Sequence, residues 1–190
     1  MPEASSSNRG APAAHRRATE PGRPPVSDAL PQAYEGLTPD VVLDALDAVG
    51  FRGDGRILQL NSYENRVFQV MLEDGEAVVA KFYRPARWTD AQIVEEHRFA
   101  LELAQAEVPV VAPCVLTWAA AGVRLLPDEP PATLAIRSAE PMPLRYALAP
   151  RRAGRAPELE DDVVLERRGG VLGRLHAVGA RPPFRHRRTM

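Results

Sequence analysis

The residue type used least often points first to chemistry. The 24 basic residues are 23 arginines and one lysine, Lys81. A position that keeps lysine against that bias suits a compact, flexible ammonium better than a planar guanidinium. Lys81 stands in the apolar run Val78-Val79-Ala80-Lys81-Phe82. Two-residue alternation there puts Val79, Lys81 and Tyr83 on one face of a strand. On the outer face of an edge strand this lysine would merely be solvated. Facing a cleft, it would hold phosphate oxygens. It would then need a carboxylate nearby, because an unpaired buried ammonium is costly.

Residues 90–107 supply one. Thr89-Asp90-Ala91-Gln92 has the form of a capping box, and the helix it opens runs to about Glu107, before Pro109. At roughly 100° per residue, Ile93, Glu96, Ala100, Leu103 and Ala104 share a side, with His97 close by. Glu96 therefore falls within the apolar stripe, while Glu95 points toward solvent. A carboxylate on a core-facing stripe is unusual. The plain alternatives are a carboxylate at the stripe's edge for Glu96 and a satisfied structural histidine for His97. A strand lysine followed by a helix glutamate is the pairing that phosphoryl transfer uses to grip the α- and β-phosphates.

Other elements must position this pair. Thr38-Pro39-Asp40 starts a helix, with Val42, Leu46 and Val49 at helical spacing and Gly50 at its end. Strands are expected at 56–60, 67–72 and 77–83, with Asp74-Gly75 as a hairpin turn and a wider loop, Asn61-Ser62-Tyr63-Glu64-Asn65. Residues 108–113 read as an extended, proline-punctuated segment leading to a fourth strand near Val115. Residues 127–157 hold seven prolines and read as loop, apart from a short strand at Arg145–Ala149. A last helix is expected from Leu159 to Val178, weakened by Gly169, Gly170 and Gly173.

Composition narrows the classes of function. Over 190 residues the net charge is −1, which gives no global field for nucleic acid. Arg181, Arg185, Arg187 and Arg188 read as a solvated basic tail or the edge of something larger. No apolar run approaches the roughly 20 residues of a membrane helix, and the first 30 residues lack the apolar core of a secretory signal, so a cytoplasmic protein is expected. One cysteine, Cys114, cannot form an internal disulfide, and the four histidines show no ligand spacing. Residues 1–36, with six prolines and few large apolar groups, read as a disordered leader.

The stretch Leu60-Asn61-Ser62-Tyr63-Glu64-Asn65-Arg66-Val67-Phe68-Gln69 resembles the nucleotide loop of the bacterial stress response kinase A family. Lys81-Phe82-Tyr83-Arg84-Pro85, Glu95-Glu96-His97-Arg98-Phe99-Ala100-Leu101, Glu107-Val108-Pro109-Val110 and Leu172-Gly173-Arg174-Leu175-His176 extend the resemblance. It implies an α+β fold: a protein-kinase-like small lobe of antiparallel sheet plus one helix over 37–150, then the incomplete start of a helical large lobe over 151–190. It implies an ATP-dependent serine/threonine protein kinase with ATP and Mg2+ as cofactors and a protein substrate of unknown identity; a monomer is expected, and charge and hydropathy give no nucleic-acid or membrane partner.

By that resemblance Ser62 contacts ATP, Lys81 is the strand lysine and Glu96 its helix partner; the loop 61–65 holds no glycine, so Ser62 and Asn65 side chains are expected to replace some amide contacts to phosphate. Arg145–Pro150 resembles the linker between lobes. Prolines 127, 130, 131, 141 and 143 read as loop where the family has a strand pair. After residue 115 no acid stands in an H-G-D or D-x-D context, so no catalytic-loop aspartate and no metal ligand is assigned in this chain. The chain is expected to be the N-terminal portion of such a kinase, inactive alone. The alternatives are a small-molecule kinase of the aminoglycoside and choline kinase-like superfamily, or a non-catalytic nucleotide-binding fragment.

Overall fold

The computed structural model describes residues 34–139, 142–154, 161–180 and 184–187. Most of the expected leader, residues 1–33, lies outside the described residues. Helix α1 (Pro39–Asp47) begins as its residues dictate: Thr38 is extended, its hydroxyl accepts from Val41 N at 3.4 Å, and Pro39 follows at the first helical position. Strands β1 (Gly53–Leu60), β2 (Arg66–Leu72) and β3 (Ala77–Phe82) form an antiparallel meander. Gly53 is set by close approach, since a Cβ there would collide with the Leu43 side chain. Between β2 and β3, Gly75 N donates to Leu72 O at 3.0 Å and Gly75 takes φ +88°, a conformation nearly free of cost only for glycine.

After helix α2 (Asp90–Gln105) come β4 (Val123–Leu126), β5 (Leu134–Arg137) and β6 (Leu144–Pro150). They complete a six-stranded sheet of order β1-β2-β3-β6-β5-β4, each pairing antiparallel. The strand pair missing from the sequence reading is thus present, at 123–126 and 134–137. Prolines 127, 130 and 131 fall in the connection between the two strands, where no ladder donor is lost. No strand forms near Val115. That segment runs extended beside the sheet, with Cys114 N bonded to Leu148 O at 2.7 Å and Leu116 N to Ala132 O at 2.8 Å, while Pro109 and Pro113 offer no donor. The strand expected at 145–149 is present as β6 between β3 and β5, so the stretch that resembles the linker between lobes is a strand of the sheet.

Alternation sorts the two faces of the sheet. Phe68, Val70, Val78, Ala80, Phe82 and Leu148 pack against Val42 and Leu46 of α1, and Tyr146 Oη donates to Ala45 O at 2.7 Å. On the other face Ile93 and Val94 of α2 pack against Tyr83, Leu134, Ile136 and Ala147. Helix α3 (Asp162–Gly179) is capped by Asp161, whose carboxylate accepts from Val163 N and Val164 N. Its expected start at Leu159 lies outside the described residues. It meets α2 near its C-terminal end, where Val178 is buried with Leu103 and Val108.

Candidate functional site

A cleft of about 380 Å³ opens on the α2 face of the sheet. This volume falls within the roughly 300–1,000 Å³ typical of small-molecule sites. Val67, Val79, Ala147 and Ala149 line it from the sheet, Glu96 and Ala100 from α2, and Val111 and Pro113 from the extended segment. Lys81 enters from β3. That strand lies between β2 and β6, which rules out the edge-strand alternative. Lys81 Nζ stands 3.5 Å from Glu96 Oε1 and 4.6 Å from the centre of the Tyr83 ring. The two charged side chains are 34% and 37% exposed, so their contact is partly wet and worth at most about 1 kcal/mol. It orients the ammonium more than it stabilises the fold.

Glu96 lies at the flank of the buried stripe. Ile93, Val94, His97 and Leu103 are the buried residues of α2, whereas Ala104, expected inside, is exposed. A carboxylate at the flank keeps some water and meets cations from both β3 and Arg187.

His97 takes the structural role. Its Nε2 lies 2.7 Å from Tyr83 Oη and its Nδ1 lies 2.9 Å from Thr133 Oγ1. A neutral imidazole has one donor and one acceptor, and each meets a hydroxyl that can play the other part. Burial is the main cause holding its pKa down, to about 4; Glu96 opposes this, and Lys81 and Arg187 add to it. Burial also raises the Tyr83 phenol, with Glu96 adding to the effect. The chain Tyr83–His97–Thr133 ties the residue after β3, helix α2 and the residue before β5 together, and Tyr83 and His97 line the same cleft as the Lys81–Glu96 pair.

The loop 61–65 is braced by side chains. Asn65 Oδ1 accepts from Arg84 N at 3.2 Å, and Glu64 is paired with Arg87. Tyr34 Oη donates to Glu64 O at 3.0 Å, and the Arg66 guanidinium lies 4.7 Å from the centre of the Tyr34 ring. Burial, only partly offset by Arg66 and Arg84, pushes the Tyr34 phenol up to about 12. Ordered packing therefore reaches back to Tyr34, three residues before the expected boundary at Leu37. Ser62 is half-buried on this loop. Neither Ser62 nor Asn65 lines the cleft, so the structure brings Lys81 and Glu96 together and leaves the other two residues on the loop above.

Sequence reasoning missed the anchors of α2. Arg145 Nε donates to Asp90 Oδ1 at 2.5 Å, tying β6 to the first turn of the helix. Of the two readings of the basic run, a solvated tail or an edge of something larger, residues 184–187 are not a solvated tail but dock on α2; Arg181 and Arg188 lie outside the described residues. Glu95, expected toward solvent, accepts from Arg185 N, His186 N and Arg187 N at 2.6, 3.0 and 2.8 Å. Desolvation pushes its carboxyl up, but the three amide bonds outweigh it and hold the pKa below its ordinary value. Same-face alternation already signalled the neighbourhood of Tyr83 and Lys81. For contacts spanning about 90 residues no local pattern existed. Among the described residues no three of His, Cys, Asp and Glu gather as metal ligands.

Comparison with known proteins bears on the family and the fold. Residues 56–190 match the phosphotransferase enzyme family. Stress response kinase A of Escherichia coli (strain K12) is 40% identical over 157 residues, covering 83% of this chain and 43% of the relative. The protein of the same name from Salmonella choleraesuis is 41% identical over 154 residues, or 81% of this chain and 42% of the relative. A serine/threonine protein kinase, RdoA, of Salmonella typhimurium is 40% identical over 154 residues. This chain thus spans less than half the length of the curated relatives it matches. Among solved structures, an amicoumacin kinase in complex with AMP-PNP and Ca2+ superposes with a TM-score of 0.56 at 17% identity, over 77% of this chain and 41% of the other. The fold is α+β, that of a kinase-like small lobe, and the sequence resemblance to the stress response kinase A proteins holds.

Proposed function

Because this chain belongs to the phosphotransferase enzyme family, we propose that its cleft binds ATP and that the chain carries the nucleotide-gripping part of a serine/threonine protein kinase of the stress response kinase A type. The observation that carries this reading is the Lys81–Glu96 pair at 3.5 Å, on a central strand and facing the cleft. Lys81 takes the α- and β-phosphate oxygens, and Glu96 and the Tyr83 ring orient its ammonium. The apolar surface of Val67, Val79, Ala147 and Ala149 accepts the base. Ser62 and Asn65, on a loop held by side chains, cover the phosphates. In this reading the small lobe spans 37–150, residues 151–190 begin the large lobe, and the protein works in the cytoplasm.

Grip and transfer are separable here. Transfer in this fold needs aspartates that position the acceptor hydroxyl and the metal. The described carboxylates do not fit a metal set, and no step through Mg2+ is assigned to them. The test is a nucleotide titration of the 190-residue chain. We expect weak ATP binding that changes little with magnesium and falls at least tenfold in Lys81→Met. Labelled ATP with a generic protein acceptor should give no transfer above background. Unchanged binding in Lys81→Met would sink the site. Turnover that vanishes in Lys81→Met would instead show that an acid among residues 128–166 acts in catalysis.

A further inference from the structure

Lys81 is not the only cation on Glu96. The Arg187 guanidinium bonds Glu96 Oε2, the oxygen that Lys81 leaves, so one carboxylate is held between two cations. Arg187 is itself fixed before it reaches the carboxylate. Its Nε donates to Gln92 O at 3.3 Å, its backbone N donates to Glu95 Oε2 at 2.8 Å, and its guanidinium lies 4.7 Å from the centre of the Trp88 ring. The residues just before it are also seated. His186 O accepts from Gln92 Nε2 at 2.9 Å, and Phe184 meets Phe99 edge-on with ring centres 5.2 Å apart.

We propose that Arg187 is a positioning residue of the nucleotide site, which holds the Glu96 carboxylate in the orientation that Lys81 needs. The proposal rests on the nucleotide reading above and adds a residue to it. The physical reason is entropic. A glutamate at the flank of a helix, one-third exposed, loses rotamer freedom when it pairs with a flexible lysine, and the wet ion pair returns little. An arginine already held at its backbone and at two points of its guanidinium adds its charge-assisted bond with little further ordering and leaves Glu96 Oε1 for the lysine. Arg187 and Glu96 lie 91 positions apart, so the site joins the middle of the chain to its last described residues.

The experiment is a double-mutant cycle on the 190-residue chain, read as the dissociation constant for a fluorescent ATP analogue. Arg187→Ala should weaken binding about fivefold, and Glu96→Gln at least as much. The double variant should bind no more weakly than Glu96→Gln alone, because Arg187 acts through the carboxylate. A purely structural arginine would cost the same factor in both backgrounds, which would overturn the proposal. Arg187→Lys keeps the charge but cannot reach Glu96 and Gln92 O together, so it should fall between the two. If Arg187→Ala does not fold, the Arg187→Lys arm of the cycle gives a smaller coupling of the same sign. Unchanged or tighter binding in Arg187→Ala, with Lys81→Met still defective, overturns the proposal and spares the nucleotide reading. Binding indifferent to Lys81→Met overturns both.

Discussion

Helices α2 and α3 have nearly the same length, 16 and 18 residues, and touch each other, yet they are held in different ways. α2 has four buried side chains, a complete capping box, an ion pair from its first turn to β6, and a histidine bonded on both ring nitrogens. α3 has a carboxylate cap at its start and one buried side chain, Val178, near its end. Between them it exposes Val163, Leu165 and Leu172 and carries Gly169, Gly170 and Gly173. The helix that carries the candidate site is over-determined by its surroundings, as a positioning element must be. The other depends on propensity that its glycines reduce, and its open apolar side is a liability for self-association.

Equal truncations should expose this difference. Ile93→Ala empties a position that is 0% exposed and should cost about 2–5 kcal/mol by urea unfolding. Leu172→Ala, at 53% exposure, should change stability by less than about 0.5 kcal/mol. Comparable losses at both positions would mean that α3 is as firmly packed as α2.

The next effect is set by pH. The folded pKa of His97 is lowered to about 4 from 6.5, so between these values the unfolded chain binds more protons. Stability is complete above the upper value and falls as pH drops through the window, by roughly 3 kcal/mol from this residue alone. His97→Gln should flatten the profile, measured as the urea midpoint against pH. A wild-type profile that matches the variant would remove the buried histidine from the account of α2. A smaller effect belongs to the cap. Thr89→Ala removes the hydroxyl that accepts from Gln92 N at 3.3 Å and should cost about 1 kcal/mol.

The smallest effect has the opposite sign. No atom lies within 4 Å of a Cβ built at Gly170. Gly170→Ala should therefore stabilise α3 by about 0.5–1 kcal/mol, visible as added helical ellipticity. A loss instead would show that the glycine meets something when the protein is in solution.

What could be read from sequence alone follows the same division. Thr38, Thr89 and Gly75 act within a few residues of themselves, so the starts of α1 and α2 and the turn before β3 were legible. Lys81 and Glu96 were legible because strand and helix periods each place one residue, and the family motif joins them. The pair β4–β5 was not, because four-residue strands carry too little pattern to stand out among prolines. Glu96 was placed too deep, since periodicity gives a direction but not the distance to the next layer. Arg187 was hidden for a different reason: its partner lies 91 positions away, a separation that no local pattern records.

The lone lysine on β3 also makes the protein unusually convenient to observe. A sample grown with side-chain nitrogen-labelled lysine holds a single labelled ammonium, and that group stands in the cleft, 3.5 Å from its carboxylate. One resonance would report the occupancy, protonation and motion of the site with no assignment problem. An amine-reactive nucleotide analogue would likewise find one side chain to acylate besides the α-amine, and protection of that side chain by ATP could be followed by the mass of the peptide that holds it.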